Sequence, residues 1–186
     1  MAPSLAVVGL GNIVFGDEGL GVYALKYFEA NYSVPPGVTL LDGAVLGFGL
    51  MPVLQEHDHT VILSSAFMGD TPGEIVACDA ETFMNQGAVR KSANEAELTM
   101  MLEICAFSEA TGGVTLLTMV PEKIDEVTTG LTPTVTAAIE PLVARLREEL
   151  ARLGAPTSPK APRVPLEAVI ERCANPTQDV FHTSAG

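Results

Sequence analysis

Apolar and polar positions along this chain fall into two alternating kinds of segment. Short apolar runs occur at Leu5-Ala6-Val7-Val8, Val38-Thr39-Leu40-Leu41, Thr60-Val61-Ile62-Leu63 and from Val114 to Val120. Runs of this length predict strands in a sheet buried on both faces. Glu74 to Cys78 predicts a further strand, suited to a sheet edge. Between these runs the spacing lengthens to that of a helix. Leu20, Val22-Tyr23, Leu25 and Tyr27-Phe28 predict a helix from about Gly19 to Ala30. A second is predicted from about Leu46 to Glu56. Leu98, Met101-Leu102 and Cys105 predict a third over Glu95 to Phe107. Val135, Ile139, Leu142-Val143, Leu146 and Leu150 share one face of a last long helix, opened by Pro133 and ended by Gly154. Residues 79–93 show no clear period.

Strands alternating with helices predict an α/β fold: a three-layer sandwich, a mostly parallel twisted sheet with helices on both faces. In such sheets, sites form in the crevice beyond the carboxyl ends of the strands. Three loops lie there, 9–21, 42–49 and 64–73, so Glu18, Asp42 and Ser64 can converge despite their separation. After Gly154 the composition changes. Pro156, Pro159, Pro162 and Pro165 predict an extended linker, with a short helix over Leu166 to Cys173 and a tail through Phe181-His182-Thr183. The expected division is a domain over 1–154 and a proline-rich linker and tail over 155–186.

Charge and composition narrow the function. The chain has 186 residues, 47% of them apolar, enough for one domain with a full core. Its formal charge of −13 argues against a nucleic-acid or anionic-membrane partner. No apolar run has the length of a membrane span, and the first residues lack the basic region of a secretory signal. Cys78, Cys105 and Cys173 form neither a C-x-x-C pair nor a disulfide framework, which points to a reducing cytoplasm and inert thiols. No base adjoins Cys78 or Cys105, and no G-x-S-x-G elbow surrounds Ser64 or Ser65.

Chemistry concentrates in the first loop. Gly9 to Gly21 holds five glycines, with Asp17 and Glu18 just before a helix. A dinucleotide fingerprint needs a third glycine where Val14 stands, and the carboxylates oppose a pyrophosphate, so no nucleotide is expected. Glu18 is a candidate metal ligand or acid–base group. The same two carboxylates also suit a helix N-terminus as cap and charge match. Asp42, at a strand's carboxyl end, can hold a backbone N–H or orient a substrate. His57 and His59 fall at the amino end of the third strand, away from the crevice.

The stretch Gly9-Leu10-Gly11-Asn12, then Asp17-Glu18-Gly19-Leu20-Gly21, resembles the opening motif of the hydrogenase maturation proteases. Further pieces follow in order. Leu41-Asp42-Gly43, with Gly47 beyond, resembles the second loop D-G-G-T-x-G, Ala44 and Val45 replacing its second glycine and its threonine. Gly69 to Gly73 resembles a G-x-x-P-G turn, Leu116 to Glu122 a strand ending in proline, and Thr129 to Pro133 a g-L-S-P helix start. The resemblance implies a phosphorylase/hydrolase-like fold. It also implies an endopeptidase that removes a short C-terminal extension from a [NiFe] hydrogenase large-subunit precursor. The nickel is supplied by that substrate.

The family's metal-binding triad is a Glu or Asp, an Asp and a His. The first carries over onto Glu18. The Asp position falls on Ser64, and the S-x-H histidine falls on Asn94 in Ser92-Ala93-Asn94. A hydroxyl and an amide are weak ligands beside a carboxylate and an imidazole. Expected catalytic residues are therefore Glu18, also the metal contact, and Asp42. Asn12, Asp17, Gly43, Ser64, Asn94 and Glu95 are expected around the substrate and metal loops, Glu95 standing in for the lost ligands. A non-catalytic factor that binds the large subunit is the alternative, and an unrelated hydrolase on the same fold is a third.

Overall fold

The computed structural model describes residues 3–44, 47–85, 92–107 and 112–175. The strands are β1 (Leu5–Leu10), β2 (Tyr32–Ser33), β3 (Val38–Ala44), β4 (His59–Ser65), β5 (Ile75–Asp79), β6 (Gly113–Met119) and β7 (Ser158–Pro159). The helices are α1 (Leu20–Asn31), α2 (Met51–Glu56), α3 (Ala80–Met84), α4 (Ala93–Ala106), α5 (Pro133–Arg152) and α6 (Leu166–Ala174). Five strands form the main sheet in the order β3-β1-β4-β6-β5. All pairs are parallel except β5 with β6, so β5 is an antiparallel edge.

β1 is buried along its whole length, yet its side chains still divide between two faces with the period of a strand. Leu5 and Val7 meet Val61, Leu63, Leu117 and Met119 in a core covered by α1, α5 and α6. Ala6, Val8 and Leu10 meet Ile62 and Leu116 in a second core under α2, α3 and α4. The result is the expected three-layer α/β sandwich. Among the described residues no helix is long and apolar enough to cross a membrane.

The structure differs from the periodicity in three places. Of residues 79–93, the described stretch 79–85 contains α3, a short helix that Asp79 caps by accepting from the Thr82 N–H at 2.8 Å. The helix expected from Leu46 begins instead as a 3-10 turn over Gly47–Leu50 and becomes α2 at Met51; Leu46 and Val45 lie outside the described residues.

The third difference corrects the linker. After Gly154 the chain turns back, with Ala155 N–H on the Leu150 carbonyl at 2.8 Å. β7 pairs antiparallel with β2, and α6 sets Leu166 and Val169 into the α1–α5 core. Asn31, buried at the end of α1, clasps the connecting segment. Its Nδ2 donates to the Val164 carbonyl at 3.0 Å, and its Oδ1 accepts from Val164 N at 2.8 Å. Residues 155–174 are thus part of the same packed body. The prolines do keep the chain extended, but extended chain still offers backbone groups to a neighbour. The tail with His182 lies outside the described residues.

Candidate active site at the carboxyl ends of the sheet

The glycine loop brings the first turn of α1 down onto the strand ends. A Cβ on Gly21 would stand 2.2 Å from the Leu63 carbonyl oxygen. One on Gly11, whose φ is 129°, would stand 1.8 Å from that of Glu18. Only glycine permits these approaches. They seat a 3-10 turn, Gly16–Gly19, over the end of β4, where the Ser65 hydroxyl reaches the Glu18 carbonyl at 3.5 Å.

The two carboxylates of that turn part ways. Asp17 is fully buried and accepts four hydrogen bonds. They come from the backbone N–H groups of Glu122 at 2.9 Å, Lys123 at 3.0 Å and Thr132 at 2.8 Å, and from the Thr132 hydroxyl at 2.9 Å. It ties the glycine loop to the segment after β6 and to the start of α5. Asp17 is thus an anchor of the loops.

Glu18 takes no part in that anchor. It is half-buried, and its carboxylate has no hydrogen-bond or ion-pair partner among the described residues. Burial raises its pKa above the ordinary 4.5. Ser64 and Asn94 meet at the carboxyl end of β4. The Asn94 Nδ2 donates to the Ser64 hydroxyl at 2.9 Å, and that hydroxyl donates to the Ser65 carbonyl at 3.2 Å. Ser64 is therefore buried and saturated, with no base to activate it. Among the described residues no three His, Cys, Asp or Glu side chains converge as a metal site. One carboxylate beside a hydroxyl and an amide suits a resident nickel ion poorly.

A family model described as hydrogenase maturation protease matches residues 22–149. The chain belongs to that family. Curated relatives include a hydrogenase expression/formation protein HoxM from Azotobacter vinelandii, 32% identical over 82% of this chain and 75% of that protein. The hydrogenase 2 maturation protease of Escherichia coli is 30% identical over 84% of this chain and 96% of its own length. Among solved structures, the hydrogenase maturating endopeptidase HybD from E. coli superposes with a TM-score of 0.78 at 29% identity, covering 84% of this chain and 98% of that one.

Within this maturation protease, several expected residues have other work. Glu95 is buried and completes a capping box: its N–H bonds Ser92 Oγ at 3.1 Å while its Oε2 accepts from Ser92 N at 3.2 Å. Its Oε1 accepts from Phe67 N at 3.1 Å. It holds a helix end and a loop, and is not free to stand in for a lost ligand. Ser92-Ala93-Asn94-Glu95 is an S-x-x-E signature, so this role was readable from the sequence.

Asp42 faces the α1 side of the sheet. Its Oδ1 accepts from Ala44 N at 3.2 Å and its Oδ2 lies 3.5 Å from Lys26 Nζ. It bonds none of Glu18, Ser64 or Asn94. Asn12 accepts from Val14 N at 3.2 Å and shapes the loop. Gly43 packs against Val8 and Leu10, where a Cβ would not fit. His57 and His59 contact Thr39 and Thr115 at the other end of the sheet. Burial pushes the Cys78 thiol up to about 11 and also raises those of Cys105 and Cys173, so none is a ready nucleophile.

Proposed function

We propose that this family member is the endopeptidase that removes the C-terminal extension of a nickel-loaded [NiFe] hydrogenase large-subunit precursor, acting in the cytoplasm. One observation carries the reading: Glu18 is a half-buried, unpartnered carboxylate at the carboxyl ends of the sheet, on a loop that Asp17 makes rigid. Such a group is paid out in no internal contact and is available to a substrate. Val14 and Val127, 43% and 81% exposed, flank the same loop and offer apolar rim to a protein partner.

The nickel belongs to the substrate. Held chiefly by the precursor's own ligands, it meets Glu18 and fixes the scissile region against the loop, so that positioning supplies much of the rate. Ser64 and Asn94, bonded to each other, stand as a neutral pair at the end of β4 and beside it. Asp42 supports the end of β3.

The same neutral pair favours a second reading, a family member that binds the precursor without cutting it. Intact mass of the nickel-loaded precursor separates the two. The expected result is a shortened precursor with the wild-type chain and none with Glu18→Gln. A precursor that stays full-length yet co-purifies with the chain would overturn the protease reading.

A further inference from the structure

A groove of about 500 Å³ runs between α1 and α6 and opens at the glycine loop and the end of β3. Ile13 and Asp42 form its upper end; Val22, Lys26, Glu29 and Ala30 line it along α1, and Val169, Arg172 and Cys173 along α6. Ile13 packs against Gly19, the residue after Glu18, so the groove starts at the same glycine loop. Val22 to Ala30 spans about 12 Å of helix, the reach of roughly four extended residues.

Its two cations, Lys26 and Arg172, equal its two carboxylates, Glu29 and Asp42, in number, but both carboxylates gather on Lys26. Lys26 lies between Asp42, at 3.5 Å, and Glu29, at 3.7 Å. The Arg172 guanidinium has no partner among the described residues, in a chain of net charge −13. An apolar floor with one unpaired guanidinium complements a short apolar segment that ends in a carboxylate.

We propose that this groove binds the last residues of the substrate chain, with Arg172 on the terminal carboxylate. The inference rests on the endopeptidase reading for the identity of the occupant. The groove makes Arg172 and Ala30 specificity residues outside the cutting site. Its length limits the recognised segment to a few residues.

Two synthetic peptides covering the precursor's C-terminal residues test it, one a free acid and one an amide, with binding followed by fluorescence anisotropy. The full wild-type chain should prefer the acid by about tenfold, the worth of one charge-assisted hydrogen bond. Arg172→Glu, an exposed change, should erase that preference, and Ala30→Leu should weaken both peptides by filling the groove. No preference in the wild type, or a preference that survives Arg172→Glu, overturns the proposal. Binding is read apart from cleavage, so loss of cutting with intact acid preference would fault the protease reading and leave the groove standing.

Discussion

At the scale of single residues, neighbouring carboxylates divide two tasks. Asp17 spends all its acceptor capacity on the fold, whereas Glu18 is left half-buried and unpaired. Desolvation raises the proton affinity of Glu18 in the folded chain relative to the unfolded one. The folded state then binds more protons than the unfolded state as pH rises past the ordinary 4.5, so stability falls through that window and stays lower at neutral pH. Glu18→Gln should therefore raise the melting temperature at pH 7, and the gain should vanish below about pH 4. A thermal series across pH checks it. Ala44 is a second such residue. It holds φ at 32° where the family motif carries glycine. Ala44→Gly should relieve about 1 kcal/mol, measured by urea unfolding.

At the scale of elements, the strands and long helices were legible because burial leaves strong periods. The two cores even repeat the alternation inside the fully apolar β1. What the period did not reveal is set by hydrogen bonds. α3 is too short to show a period, and α4 begins where Ser92 and Glu95 cap it rather than where its apolar stripe starts. The site followed the same rule. Topology placed Glu18, Ser64 and Asn94 at one end of the sheet, but Asp42 was claimed by the Ala44 N–H and Glu95 by those of Ser92 and Phe67. Ser92→Ala should destabilise the chain by about 1 kcal/mol, the usual worth of such a cap, in denaturant unfolding. Pro141 sits inside α5 without ending it, since Ile139, Leu142, Val143 and Leu146 bury that helix on either side.

At the scale of the molecule, the segment after Gly154 is a clasp across α1 and α5. Tyr27 donates to Glu140 at 2.7 Å, and Arg163 bonds both Tyr27 and Glu140. Asn31→Ala should cost about 2–3 kcal/mol, because the Val164 N–H and carbonyl lose their partner in a partly buried setting. Limited proteolysis should then cut faster between residues 155 and 165. Unchanged cutting would mean that the clasp is held elsewhere. Composition alone misled here: prolines forecast an extended path, but not what that path lies against.

The order of strands in the sheet also governs how the chain reaches its native form. β4 takes its neighbours from far away in both directions, pairing Leu5 with His59 and His59 with Gly113. On the ribosome, β1, β3 and β4 emerge well before β6 and the α5 that covers it. Until then β4 is an open parallel edge, able to recruit the wrong partner. Both pairings of β4 span 54 residues, Leu5 to His59 and His59 to Gly113, so the centre of the sheet is built wholly from non-local contacts, the kind that slow folding.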